Sequence, residues 1–224
     1  MALPLEVFPQ LPNQQITSFD WADIQEGTGM VDYYAFDCED SASVKYLLAH
    51  ELYYSKDIEK WQTSPSSEAD YIKALDIDFD LADFNLPKII GGKGIIKGSF
   101  FISNNGTPWK SYGYLVFKIR KYSGTTETEI ANVQTVTIEL TGVSSWLIKP
   151  FVCRVVIPNT YYKPGDILRL TVEAWKKTDG GGGNTGIIGF GLDPMNRDGV
   201  RIKPSVTPAN FSQLKLSCPF RILE

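Results

Sequence analysis

The sequence is poor in the residues that most often carry catalysis or hold zinc. It has 224 residues but a single histidine, His50, and three cysteines, Cys38, Cys153 and Cys218. A zinc site with two histidine ligands is therefore excluded, and a catalytic triad would have to use His50. That histidine lies in an apolar segment without a nearby GxSxG signature. We interpret it as structural, and we predict that the chain has no catalytic residues and is not an enzyme.

The cysteines do not form a recognisable framework. They lie far apart without a CxxC pair, and an odd number leaves at most one disulfide open. Cys153 and Cys218 lie in runs typical of strands, "FVCRVVI" and "LKLSCPF". We therefore expect buried free thiols at these two positions.

Long apolar runs are also missing, since none approaches the ~18 residues of a transmembrane helix. The start, "MALPLEVFPQLPNQQ", lacks the basic and long apolar regions of a secretion signal. Its three prolines favour an extended N-terminal arm over 1–15, either lying on a neighbour or frayed, before a single domain over 16–224. The formal charge of −4 argues against nucleic acid as a partner, and no membrane partner is expected.

Hydrophobic alternation with a period of two runs through most of the chain. It is clear from Thr28 to Phe36, in "YIKALDIDFDLADFNLP", in "YGYLVFKIRKY" and in a strand from Ile95 onward, whereas "QTSPSSEAD" is predicted to be a loop. The segment "SVKYLLAHELYYSKDIEKW" fits a helix or a strand, and a strand is favoured. About nine or ten strands without intervening helices predict an all-β fold, an antiparallel, jelly-roll-like β-sandwich.

A glycine-rich stretch, "DGGGGNTGIIGFG" from Asp179 to Gly191, contains a GxGxxG match. A dinucleotide site needs these glycines between a strand and a helix, so that the helix N-terminus meets the pyrophosphate. Here "IIGFG" follows, which is typical of a strand. We therefore predict a flexible hairpin connection and no nucleotide site.

The sharpest acidic cluster is Asp76, Asp78 and Asp80, with Asp83 close behind. Alternate strand positions place the first three on one face, about 7 Å apart. Calcium is the ion that such a cluster would take, although the EF-hand pattern fails. The favoured interpretation is a solvated strand face, neutralised by Lys88, Lys93 and Lys97.

Aromatic residues suggest a second candidate site. Trp109 lies in the predicted loop "NGTPWKSYG", with Tyr112 close by. Such side chains on the loops of a sandwich can stack on sugar rings, although packing in the core or in an oligomer interface is favoured. A hydrolase that uses two of the 26 acidic residues also stays open, because nothing selects a pair.

The stretch "ITSFDWADIQEGTGMVDYYAF" has a D-x-x-D-I-x-x-G-T-G pattern that leads into an aromatic strand. With "YKPGDILRLTVEAW", "GFGLDP" and "LKLSCPFRIL", it resembles small structural proteins encoded by phages and archaeal viruses. The resemblance implies a jelly-roll-like virion component: a decoration protein, a capsid subunit, or a piece of a spike or tail. No site residues carry over from it.

These observations together predict a structural virion protein, a capsid decoration protein or capsid subunit that self-associates and binds a capsid lattice. Its partners would be other copies of itself, with a trimer as one form, and a major capsid or other virion protein. It would lie in the virion, after assembly in the host cytoplasm, and would need no cofactor. The alternative is a carbohydrate-binding β-sandwich module on a surface or secreted particle, with Trp109 and Tyr112 as glycan contacts.

Overall fold

The computed structural model describes residues 17–18, 28–40, 43–64, 68–105, 109–142, 146–179, 185–197 and 212–221. Within these ranges the chain forms thirteen β-strands and no helix, so no described segment is a helix that could span a lipid bilayer. The strands are β1 (Thr17–Ser18), β2 (Thr28–Asp40), β3 (Ser43–Ala49), β4 (Glu59–Ser64), β5 (Glu68–Leu81), β6 (Lys88–Asn105), β7 (Trp109–Ser123), β8 (Thr126–Gln134), β9 (Ile138–Gly142), β10 (Trp146–Tyr162), β11 (Ile167–Asp179), β12 (Thr185–Gly191) and β13 (Lys215–Arg221).

The strands form one mixed sheet that is not closed. Its order is β4-β12-β6-β13-β2-β3-β5-β11-β7-β8, with β10 beside β6, β9 beside β7 and β1 beside β2. Among the described strands, only β3 and β5 pair in parallel, through Leu47 with Asp80 and Leu48 with Leu81. This short contact joins the two halves of the sheet.

The sheet folds over into two layers around one hydrophobic core. Phe79 of β5 meets Phe190 of β12 with ring centroids 6.4 Å apart, and Phe117 of β7 meets Phe151 of β10 at 5.2 Å. Neither pair lies on neighbouring strands, so these contacts cross between layers. The first layer contains β4, β12, β6, β13, β2 and β10, and the second contains β5, β11, β7, β8 and β9.

The predicted all-β sandwich is confirmed. Continuous pairing through β3 makes the two layers one folded sheet rather than two separate sheets. The segment that fitted helix or strand contains β3, as favoured, and then an irregular stretch before β4. The predicted N-terminal arm, 1–15, lies outside the described residues.

Two predicted boundaries are wrong. The expected loop "QTSPSSEAD" is largely strand, because β4 continues to Ser64 and β5 begins at Glu68. The strand expected from Ile95 begins at Lys88. Glycine is required in this earlier part, since a Cβ at Gly91 would lie 2.7 Å from the Cα of Asn159 on β10.

The glycine-rich connection is not a hairpin. It follows β11, which pairs with β5 and β7, and precedes β12, which pairs with β4 and β6. The chain therefore crosses from one layer to the other between Asp179 and Thr185. Residues 180–184 themselves lie outside the described residues.

Three prolines within the described strands lie where a backbone N–H is not needed for pairing. Pro150 and Pro158 lie in β10, which among the described residues pairs with β6 alone and is therefore an edge strand. Pro219 lies in the central strand β13, where pairing with β6 is interrupted between Ser217 and Phe220. Since proline has no N–H to donate, these positions need no ladder bond there.

Candidate binding surface

The outward-facing side chains of β6 and β10 alternate between cations and apolar groups. The register pairs Lys97 with Val152, Ile95 with Arg154, and Lys93 with Val156. Directly opposed residues on antiparallel strands project from the same face. We call this set the cationic face: Lys93, Ile95, Lys97, Val152, Arg154 and Val156.

The cationic face is exposed and its charges are unmatched. Val152 is 70% exposed and Val156 is 75% exposed, and the side chains of Lys93, Lys97 and Arg154 are also exposed. None of the three cations makes an ion pair with another described residue. On the neighbouring strand β13, by contrast, Lys215 is bonded to Asp32 of β2. The unmatched charges thus begin at β6 and continue to the sheet edge.

A groove of about 550 Å³ lies along the edge strand β10. One wall is the segment from Val133 to Ile138, which includes the connection between β8 and β9, and the other is β10 from Lys149 to Arg154. Phe100 of β6 also lines it. The lining contains the two cations Lys149 and Arg154 and no carboxylate. A smaller pocket of about 160 Å³ lies beside Lys97, Pro150 and Val152.

The outer face of the second layer also carries charged side chains, but these form ion pairs with one another. Arg169 of β11 donates two hydrogen bonds to Asp80 of β5, from Nε at 2.6 Å and from Nη2 at 2.8 Å. It also reaches Asp78 at 3.3 Å and Glu127 of β8 at 3.2 Å, and Asp80 raises the pKa of its guanidinium. Its guanidinium lies over the ring of Tyr122, 4.8 Å from the centroid.

Glu173 is a second centre on this face, and only 3% of it is exposed. Its carboxylate accepts hydrogen bonds from Lys118 at 2.7 Å and from the indole of Trp175 at 3.0 Å, and Lys73 lies 3.4 Å away. Burial alone would raise the pKa of Glu173, but the hydrogen bonds from Lys118 and Trp175 outweigh it, so the pKa is lowered. We call the set around Arg169 and Glu173 the paired face.

The predicted acidic cluster belongs to the paired face. Asp78 accepts a 2.5 Å hydrogen bond from Thr171, Asp80 binds Arg169, and Asp76 binds Lys73 at 2.5 Å. The sequence suggested that Lys88, Lys93 and Lys97 neutralise the cluster. This prediction is wrong, because the cations that bind it are Arg169 and Lys73. Among the residues that the structure describes, no group of three potential ligands is placed to hold a metal ion. Calcium binding stays a prediction without a contact that supports it.

The predicted aromatic site is in a strand rather than a loop. Trp109 begins β7 and pairs with Gly142, while Tyr112 pairs with Glu139. The Nζ of Lys177 lies 5.9 Å from the centroid of the Tyr112 ring. The side chain of Trp109 lies outside the described set, so a glycan-binding role for these residues stays a prediction.

The cysteines and His50 lie in surroundings that favour a structural role. Cys38, Cys153 and Cys218 are free thiols, and the last two are buried as predicted. Burial raises the pKa of Cys153, and that of Cys218 to about 12, which keeps both thiols protonated. His50 lies 3.8 Å from Glu51, and no nucleophile is described beside it.

Sequence reasoning missed the cationic face, although signals for it were present. The lysines of "KGIIKG" are spaced for one side of a strand, and Pro150 and Pro158 are typical of an edge. What the sequence could not supply was the pairing of β6 with β10, in which paired residues lie 43 or more positions apart in the chain (Trp146 opposite Ser103 at the nearest).

Comparison with known proteins gives a likeness of fold. No protein-family model and no curated protein sequence matches the chain. An α-amino acid ester hydrolase matches over 85% of this chain with a TM-score of 0.49 and 10% identity. A CocE/NonD family hydrolase from Staphylococcus aureus matches over 84%, with a TM-score of 0.39 and 12% identity. The chain spans 36% and 41% of the lengths of these two structures. An infectious bursal disease virus (Gx strain) structure matches over 93% of this chain and 53% of that one, with a TM-score of 0.28 and 10% identity.

These comparisons contradict the predicted virion function. The higher-scoring structures are named as hydrolases, so the prediction of a capsid or decoration protein and the prediction that the chain is not an enzyme are both wrong. Of the structures compared, those of the bursal disease virus agree with the resemblance to virion proteins, and their likeness to this chain is weak. With identities and TM-scores this low, no activity passes from the hydrolases to this chain. The physical cause of the error is that alternation specifies a sandwich and not its use. The predicted localisation, self-association and other partners are not tested.

Proposed function

We propose that the protein binds an acidic protein segment on its cationic face. The observation that carries this proposal is the contrast between the two outer faces. Arg169 on the paired face meets three carboxylates, whereas Lys93, Lys97 and Arg154 meet none among the described residues. In a chain with more acidic than basic residues, 26 against 22, unmatched cations grouped on one surface favour an anionic partner.

The apolar side chains within the cationic face favour a protein as that partner. Val152, Val156 and Ile95 alternate with the cations both along each strand and across the two strands. Every cation therefore lies directly opposite an apolar residue. A phosphate or sulfate polymer would gain little from these groups, whereas a segment of alternating acidic and apolar residues would contact both. The pocket beside Lys97 and Val152 gives space for one apolar side chain.

The test uses a rhodamine-labelled octapeptide of alternating glutamate and valine as the probe, followed by fluorescence anisotropy. We expect the wild-type protein to bind it and the binding to weaken with added salt, because the contacts are exposed and screened. The triple variant Lys93→Gln, Lys97→Gln, Arg154→Gln should bind about tenfold or more weakly.

The matched control removes the same charge elsewhere. The triple variant Lys56→Gln, Lys110→Gln, Lys177→Gln changes three surface lysines that already have carboxylate partners. It should keep the wild-type affinity. The proposal is overturned if the wild-type protein does not bind the peptide, or if both triple variants lose affinity equally.

A further inference from the structure

The edge of β10 offers backbone groups as well as side chains. This strand of 17 residues pairs, within the described residues, only with β6. On its other side, the residues from Lys149 to Arg154 line the groove of about 550 Å³, and β8 of the second layer lies close to β10. A long strand with one free side presents a row of unpaired N–H and C=O groups to any chain that can lie beside it.

Two observations show which residues of β10 turn these groups outward. Tyr161 is exposed, and its carbonyl oxygen accepts a 2.7 Å hydrogen bond from Lys121 Nζ of β7, from which we infer that this carbonyl turns away from β6. Chirality fixes the relation between the side-chain face and the direction of the backbone groups along a strand. The exposed residues Val152, Arg154 and Val156 therefore also turn their N–H and C=O groups to the free edge. Pro150, which is exposed and lacks an N–H, fits the same pattern.

We propose that the acidic segment binds as an added antiparallel strand on the free edge of β10. This rests on the proposed function and specifies its mode. Antiparallel addition agrees with the sheet, in which every described pairing except β3–β5 is antiparallel. The added strand would lie in the groove between β10 and the segment that contains Val136, which is 84% exposed.

Charge selects the occupant of this edge. Arg154 lies on the outward side of β10 at a groove whose lining contains no carboxylate, so an outward-facing glutamate or aspartate on the added strand would meet it. A second copy of β10, paired symmetrically about Arg154, would place two arginines directly opposite each other, which is destabilising. This repulsion disfavours that pairing of two copies, and charge complementarity favours an acidic segment as the occupant.

The two sides of the added strand would have different surroundings. Its outward side chains would lie next to Val152, Arg154 and Val156, and these suit acidic residues. Its inward side chains would lie over Phe151 and the half-buried groove lining, and these suit apolar residues. The free edge of β10 ends near Ile157. Beyond it lie the register shift between Ile157 and Thr160 and the carbonyl of Tyr161, which already accepts a hydrogen bond from Lys121. The stretch from Pro150 to Ile157 would pair with a partner strand of about eight residues.

The register gives a sharp test on the wild-type protein. In an antiparallel pair, two directly opposite residues that hydrogen-bond to each other through their backbones project their side chains from the same face of the sheet. The amides that donate to β10 are therefore those of the outward, acidic residues. An octapeptide of alternating glutamate and valine that is N-methylated on its glutamates should bind about tenfold or more weakly than the unmodified peptide. The same peptide methylated on its valines should bind as the unmodified one does.

Protein variants provide the second arm. Val156→Pro removes one outward N–H at a position of the same kind as Pro150, and should weaken binding several-fold. Val156→Thr keeps the N–H and the branched shape, and should bind as the wild type does. If Val156→Pro does not fold, judged by circular dichroism, the methylated peptides decide alone.

The outcomes separate this inference from the proposed function. Absence of binding by the unmodified peptide overturns both. Binding that is affected equally by the two methylated peptides, or by neither, overturns strand addition and leaves binding at the cationic face. A wild-type dimer that Val156→Pro dissociates would show that a second copy occupies the edge, and would also overturn the inference.

Discussion

The two outer faces of the sandwich are built by the same alternation, yet they treat charge in opposite ways. On the paired face, Arg169 and Glu173 each lie at the centre of several ion pairs and hydrogen bonds. On the cationic face, Lys93, Lys97 and Arg154 have no ion pair within the described chain. An outward-facing charge can therefore either stabilise the fold through ion pairs or stay available to a partner. Its neighbours across the sheet determine which of the two occurs.

The largest effect should come from removing the centre of the paired face. Arg169→Met leaves Asp78, Asp80 and Glu127 without their shared cation, so we expect the free energy of unfolding to fall by about 2–3 kcal/mol. Urea denaturation measures this loss. Arg154→Met, the same change on the cationic face, should alter it by less than about 0.5 kcal/mol. Equal losses in the two variants would show that the faces do not differ as described.

Glu173→Gln should have the next largest effect. The amide keeps the shape of the carboxylate but loses the charge that Lys118 and Lys73 share, and we expect a loss of about 1–2 kcal/mol. Thermal unfolding at neutral pH checks this. The control is Glu129→Gln, whose carboxylate has a hydrogen bond from Asn132 at an exposed site, and its melting temperature should stay close to that of the wild type.

Asp166 should make a smaller, pH-dependent contribution. A hydrogen bond from the ammonium group of Lys121, at 2.8 Å, and another from Ser123 lower the pKa of Asp166 from 3.8 to about 2. A lowered carboxyl pKa stabilises the folded state above the unfolded pKa, and this stabilisation is lost as the pH falls through the folded pKa. Asp166→Asn should therefore be less stable than the wild type at pH 6, by about 1 kcal/mol. The difference should shrink below pH 3.8 and vanish near pH 2. A difference that does not change with pH would contradict this assignment.

The smallest effect is expected on the cationic face itself. Lys93 and Lys97 lie about 13 Å apart on one strand and face no carboxylate, so their loss removes only weak repulsion. The double variant Lys93→Gln, Lys97→Gln should keep the wild-type stability or gain up to about 0.5 kcal/mol at low salt. A clear loss of stability would mean that these lysines serve the fold.

The sequence predicted the parts of the fold that depend on local periodicity. Asp76, Ile77, Asp78 and Phe79 alternate between solvent and core as expected, and Phe79 is fully buried. The extent of β6 was underestimated, because its glycines disfavour a strand locally and are required only by the approach of β10. The glycine connection was taken for a hairpin because nothing local indicates that β11 and β12 pair with different strands.

The candidate site was less accessible from sequence. The acidic face was identified, but its cations come from Arg169 and Lys73, and Arg169 lies 89 residues from Asp80. Unmatched cations can be recognised only after all the pairings are known. The register of β6 and β10 supplies that information, and it follows from long-range pairing rather than from the spacing of residues within a segment.

A direct test of the binding surface on β6 and β10 compares the affinity of three proteins for the same alternating glutamate–valine peptide. These are the wild type, the triple variant of the cationic face, and Arg169→Met at a temperature where it is folded. We expect the triple variant to lose binding and keep its stability, and Arg169→Met to lose stability and keep binding. Loss of binding in Arg169→Met with full binding by the triple variant would contradict the assignment of the binding surface to β6 and β10.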